Sequence, residues 1–156
     1  MAATYQLSAE TAIALRRDHR ELIPLVERLR GFADQLGDGT DEHWLAGLQE
    51  VRQALTTIVA HEQRDERETY REIAAGLHGD DPLAAMSRTH QEVFHLARQF
   101  ERLVADLGNA CPEEDDLVDL RRLLYALHAV LRLNIAQEEE LYFALDREYA
   151  GTTAAV

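Results

Sequence analysis

The chain predicts an all-α fold, an up-down-up-down antiparallel bundle of four long helices. Three observations predict it. Apolar residues recur at alternating spacings of three and four in four successive segments, which lines one helix face each time. Clusters of glycine, asparagine, aspartate and proline divide these segments into spans of about 8–36, 41–76, 82–107 and 112–149. The chain is 46% hydrophobic and 29% charged with only three prolines, a balance that suits a helix-rich globular protein. Short connections between long amphipathic helices then favour antiparallel neighbours.

The first segment opens at Ser8, whose side chain can cap the free amides of the first turn. Its apolar stripe is Ala12, Leu15, His19, Leu22, Val26, Leu29 and Ala33, with a histidine in the middle. Pro24 removes a backbone hydrogen bond and crowds the preceding turn, so a kink is expected there. Gly37-Asp38-Gly39-Thr40 ends the helix. The second segment runs from about Asp41 to Ala75 and stops at Gly76, Gly79 and Asp80. Its stripe of Leu48, Val51, Leu55 and Ile58 continues into Glu62 and Asp65, with His61 alongside. The third starts at Asp81-Pro82, a cap followed by proline at the first helical position. Met86, His90, Val93, Ala97, Phe100, Val104 and Leu107 form its stripe, and Gly108-Asn109 closes it. The fourth begins at Pro112, and Glu113, Glu114, Asp115 and Asp116 crowd a first turn where the helix dipole favours anions. Its seam is Leu117, Leu120, Leu124, Leu127, Leu131, Asn134, Glu138, Leu141 and Leu145, leucine throughout except for the asparagine and the glutamate.

At 156 residues the chain suits one domain, 1–156, with a proper core. A formal net charge of −13 argues against a general nucleic-acid binder, whose affinity comes from neutralising phosphates. All sixteen basic residues are arginine, which leans toward a high-GC bacterial genome. The single cysteine, Cys111, excludes an intramolecular disulfide and a thiolate cluster. No basic region followed by an apolar run opens the chain, and no apolar stretch approaches the ~20 residues that span a bilayer. The expected setting is the cytoplasm, as a monomer or homodimer with no membrane partner.

The polar breaches in the four stripes carry the chemistry. His61 and Asp65, four apart, project side by side from a face that enters the core. An imidazole and a carboxylate are costly to bury there unless something compensates them, and a metal ion would. Counted from the helix ends of an antiparallel bundle, His19, Asp65, His90 and Glu138 fall within about one or two turns of one height. Imidazole with carboxylate fits first-row metals such as iron, manganese or zinc, and bridging carboxylates can hold two cations together.

The order His19, His61-x-x-x-Asp65, His90, Asn134-x-x-x-Glu138 resembles the hemerythrin-like (HHE cation-binding) family, which uses H…HxxxE…H…HxxxE across four helices. The resemblance covers about Ser8 to Glu148, including Asp18-His19-Arg20-Glu21-Leu22 and Glu138-Glu139-Glu140-Leu141-Tyr142-Phe143. It implies a hemerythrin-like bundle holding non-haem iron, with two ions expected, ligated by His19, His61, Asp65, His90 and Glu138. Asp65 stands where the family has Glu, one methylene shorter in reach. Asn134 stands where the fourth-helix His is expected, a weak ligand that lowers the expected occupancy of one position. Glu62 is a further carboxylate able to supplement the set. The resemblance also implies interaction with dioxygen, peroxide or nitric oxide, in stress response, sensing or iron handling, and leaves open an oxidoreductase or peroxide-decomposing activity. Two alternatives stand beside it: a metal-free helical interaction module with a vestigial site, and an oxygen-dependent biosynthetic di-iron enzyme.

Taken one at a time, histidines on apolar stripes are usually satisfied core residues, and only the coincidence of four helices favours ligands. His95 falls on a polar face, and His43 and His78 lie near helix ends. His128 is off the face of Asn134. Glu66, Arg67 and Glu68 read as a charged outer face, as do Glu139 and Glu140, although Glu139 could support a ligand from behind. Tyr70 and Tyr142 either pack or hydrogen-bond a bound oxygen species. No Ser-His-Asp pattern, phosphate-binding loop or dinucleotide fingerprint is present.

Overall fold

The computed structural model describes residues 6–36, 43–77, 83–108 and 110–146. Five helices lie along them: α1 (Ala9–Gln35), α2 (Trp44–Arg67), α3 (Thr69–Gly76), α4 (Leu83–Leu107) and α5 (Glu114–Leu145). With α3 continuing α2, these form the four arms of the expected all-α bundle, and no strand occurs among the described residues. Each arm packs on its sequence neighbours, and α5 closes the ring against α1. The predicted breaks at Gly37-Asp38-Gly39-Thr40, Gly79-Asp80, Asp81-Pro82 and Asn109, the residue His78, and the helix ends expected at 41 and 149 lie outside the described residues.

Local chemistry accounts for most boundaries. Ser8 caps α1, its hydroxyl accepting from the Thr11 amide at 3.1 Å. Pro24 sits on the exposed side of α1, inside one continuous helix. The fourth arm starts two residues later than Pro112, because Glu113 and Asp116 build a reciprocal capping box. At the other end of α5, Leu7 donates its amide to the Leu145 carbonyl at 2.7 Å, and Arg16 pairs with Asp146.

The second arm departs from the single helix expected over 41–76. It bends at Glu68, whose φ of −112° and ψ of −69° interrupt the helix between α2 and α3. No glycine or proline marks the place. The Thr69 hydroxyl instead donates to Asp65 Oδ1 at 3.2 Å, and beyond the bend Tyr70 and Ile73 are buried.

The apolar interior comes in two parts. A large cluster runs from Leu22, Val26 and Leu29 of α1 through Leu55 and Ile58, Val93 and Phe100, to Leu124, Leu127 and Leu131. A smaller one gathers Leu7, Leu15, Tyr70, Ile73, Leu83, Met86, Tyr142 and Leu145. Each polar residue singled out from the sequence falls between the two. His19 lies between Leu15 and Leu22, Asp65 between Ile58 and Tyr70, His90 between Met86 and Val93, and Glu138 between Ile135 and Tyr142. A polar layer therefore divides the core.

Candidate metal centre

Seven polar side chains fill that layer: His19, His61, Glu62, Asp65, His90, Asn134 and Glu138. Six are at most 1% exposed, and His61 reaches 9%. The α2 helix supplies two directions at once. His61 and Asp65 face His19 of α1, whereas Glu62, one residue on, turns toward His90 of α4 and Glu138 of α5.

The result is two groups of three. In the first, one ligand atom from each of His19, His61 and Asp65 lies within 4.8 Å of the other two. His61 Nδ1 is 3.4 Å from Asp65 Oδ2, and the two imidazole centroids are 6.0 Å apart. In the second, Glu62, His90 and Glu138 meet the same condition. His90 Nε2 is 2.7 Å from Glu62 Oε2 and 3.3 Å from Glu138 Oε1.

Both glutamates reach into both groups. Glu62 places Oε1 3.8 Å from His61 Nδ1 and Oε2 against His90. Glu138 places Oε2 3.0 Å from His19 Nε2, while its Oε1 accepts from Tyr70 at 2.5 Å. Glu62, the further carboxylate noted from the sequence, thus lies fully buried in the layer. Asn134 donates from Nδ2 to Glu62 Oε2 at 2.9 Å and lies 3.1 Å from His90 Nε2. It stands on the second group alone.

The two groups differ in how their polar atoms are satisfied. Both nitrogens of His19, both of His61, Asp65 Oδ2, Glu62 Oε1 and Glu138 Oε2 are buried without a hydrogen-bond partner. His19 Nε2 and Glu138 Oε2 are close in distance but not aligned as donor and acceptor. Buried polar atoms are rarely left this way, and each costs about 1–3 kcal/mol. Donor atoms that converge on one point while missing each other fit a cation, and the mixture of imidazole and carboxylate fits a first-row metal.

In the second group both nitrogens of His90 have partners, while one oxygen each of Glu62, Glu138 and Asn134 has none. His90 Nδ1 meets Glu66 Oε2 at 2.8 Å, and Ser87 donates to the other Glu66 oxygen at 2.8 Å. This corrects the placing of Glu66 on an outer charged face: it is half-buried behind His90. Its signal was available, since Glu66 follows Glu62 by four residues and shares its face. Glu139 approaches the far nitrogen of His19, with Oε1 3.5 Å from Nδ1. His95 is exposed beside Gln99, and His128 lies 3.2 Å from Glu27, so neither enters the layer.

Electrostatics follow the contacts. Burial, reinforced by the Arg64 guanidinium, pushes His61 down to about 4. Burial together with Glu138 and Glu62 pushes Asp65 up to about 7. Burial alone would lower His90, but Glu138, Glu62 and Glu66 outweigh it and push it up to about 10. Burial likewise opposes the charge of Glu138, yet His19, His90 and Tyr70 hold its carboxyl down at about 2. His19 is also raised, Glu138 overcoming the desolvation.

A family model described as the hemerythrin HHE cation binding domain matches residues 12–145. The chain belongs to that family. No curated protein and no solved structure matches the chain. The hemerythrin fold expected from the sequence is therefore present, and its cation-binding character meets a candidate ligand cluster in the core of the bundle. No helix among the described residues is long and apolar enough to cross a membrane.

Proposed function

We propose that this chain is a single-domain, non-haem iron-binding protein that interacts with dioxygen, peroxide or nitric oxide through an asymmetric centre. His19, His61 and Asp65 hold one ion. Glu62, His90 and Glu138 hold a second more weakly, because Asn134 offers an amide where an imidazole would be a stronger donor. Glu62 and Glu138 each reach both positions. Iron bound there supplies a Lewis acid and a redox centre with room for an outside ligand. The setting is a bacterial cytoplasm, in stress response, sensing or iron handling.

One observation carries this reading: His19, His61 and Asp65 bring one ligand atom each within 4.8 Å of one another in the core, and their buried nitrogens and Asp65 Oδ2 have no hydrogen-bond partner. Elemental analysis of protein purified without added metal tests it, beside an Asn134→His variant. The expected result is about one iron per chain, rising toward two in the variant. Two irons in the wild type would show that Asn134 is tolerated. No metal in either protein would overturn the proposal.

A second reading, a metal-free helical interaction module, draws on the hydrogen bonds around His90, where Glu66 meets Nδ1 and Asn134 donates to Glu62. A melting temperature unchanged by chelator would favour it, since a bound ion stabilises the folded state by mass action.

A further inference from the structure

The longest helix, α5, carries two stripes. Its inward face holds the leucine seam with Asn134 and Glu138. A second stripe runs along its outward side. Six large apolar residues are exposed among the described residues, and four of them, Val118, Tyr125, Leu133 and Phe143, belong to α5. Arg122, Ala129, Ala136 and Glu140 stand between them and are exposed as well. From Val118 to Phe143 these residues recur at steps of three and four, so they share one face of the helix. The row is about 37 Å long at ~1.5 Å per residue. At its far end Ile13 of α1, also exposed, lines one groove together with Phe143. Exposed apolar residues scattered singly need no explanation, but a row along one helix does.

The order of residues along the row identifies what covers it. Read from the N-terminal end it is valine, arginine, tyrosine, alanine, leucine, alanine, glutamate, phenylalanine. Set against its own reverse, each position finds a complement. Arg122 meets Glu140, Tyr125 meets Ala136, Ala129 meets Leu133 and Val118 meets Phe143, all about one axis beside Leu131. Large side chains face small ones, and a cation faces an anion at either end. A two-fold interface requires this property, because it must match one patch to itself. A parallel pairing would set Arg122 on Arg122 and Glu140 on Glu140, and like charges in contact oppose association. We propose that the outward face of α5 is the interface of a homodimer, in which two copies pack their α5 helices antiparallel about an axis beside Leu131. The inference stands apart from the metal reading. Arg122 is 76% exposed and pairs with Asp119 of its own helix at 3.6 Å, so its charge is open to a second copy. A strip one helix wide lies at the small end of specific interfaces, so the dimer is reversible, with a micromolar dissociation constant.

Sedimentation equilibrium of the full chain, from low micromolar to submillimolar concentration, reads the association. The wild type passes from monomer to dimer over that range. Arg122→Glu and Glu140→Arg each weaken the dimer by about tenfold or more, since each places two like-charged pairs across the axis. Both sites are exposed, so each variant melts with the wild type in dilute solution, where all are monomers. The double variant, Arg122→Glu with Glu140→Arg, exchanges the charges and recovers the wild-type dissociation constant to within a few fold. A wild type that stays monomeric throughout would overturn the proposal and leave the face to a different partner. A dimer that neither single variant weakens would overturn it by placing the interface elsewhere. Failure of the double variant to recover would overturn the antiparallel register.

Discussion

His61 and His90 are both buried in the same polar layer, and their surroundings oppose each other at every point. Neither nitrogen of His61 has a hydrogen-bond partner, and burial pushes it down to about 4, so it is neutral across the physiological range. Both nitrogens of His90 face carboxylates, and it is pushed up to about 10, so it carries a proton there. Burial alone would lower both. The partners decide the outcome. The first group presents a neutral imidazole that no hydrogen bond engages, whereas the second keeps a proton where a cation would sit.

Alanine substitutions break this comparison most strongly. His61→Ala lowers affinity for the first ion by about a thousandfold, roughly 4 kcal/mol. It costs the chelated protein little, because the imidazole it removes makes no hydrogen bond. His90→Ala does the reverse. Affinity for the first ion changes by only a few fold, while the chelated protein loses about 3–5 kcal/mol, since Glu62 and Glu138 lose the positive charge between them. Metal titration and urea unfolding in chelator measure the two quantities. Equal effects of the two variants on both would erase the distinction between the groups.

Much of this layout was legible in the sequence. The periodicity of the stripes contains the bundle, and the heights of His19, Asp65, His90 and Glu138 contain the polar layer. The partition into two groups was harder to read. His61 with Asp65 and Glu62 with Glu66 are two i,i+4 pairs about 100° apart on α2, the first meeting His19 of α1 and the second His90 of α4. Reading one stripe per helix hides the second pair, so Glu62 looked supplementary and Glu66 solvated. The bend at Glu68 had no local signal at all. Beside it Thr69 meets Asp65 and Tyr70 meets Glu138, contacts around the bend or across long stretches of the fold that no local pattern spells out.

Acidity sharpens the comparison by smaller steps. Metal uptake displaces whatever protons the ligands hold. Affinity for the first ion falls by up to about tenfold per unit below pH 7, where Asp65 takes up its proton; the second ion competes with the His90 proton at every pH below about 10. Stability of the chelated protein has a definite sign. His90 is raised in the folded state, so its contribution is complete below about 6.5 and is lost as the pH rises through about 10. Asp65 is a raised carboxyl, and its contribution likewise falls from about 3.8 through about 7. His61 is depressed and opposes them only below about 6.5. Chelated protein is therefore expected to melt roughly 5 °C or more lower at pH 9 than at pH 6.5, and iron should narrow the gap. A melting temperature flat across that range would contradict the assignment of charge to His90.

The smallest effect expected concerns Glu66, which belongs to neither candidate ligand group. Its carboxylate meets His90 Nδ1 at 2.8 Å and is itself held by Ser87 at 2.8 Å. A carboxylate behind a ligating imidazole fixes the tautomer, placing the proton on Nδ1 and leaving the Nε2 lone pair for a metal. Glu66→Ala is expected to weaken the second ion by about tenfold and leave the first unchanged. Glu66→Gln keeps an acceptor for Nδ1 but removes the charge, so the loss should shrink to about threefold. The same variant should lower the titration midpoint of His90, readable by NMR in the chelated protein, because one of the carboxylates that raise it is gone. Partial rescue by glutamine separates orientation from charge. If glutamine and alanine weaken the second ion equally, Glu66 acts on His90 through its charge alone, and the hydrogen bond to Nδ1 contributes nothing to how the imidazole is held.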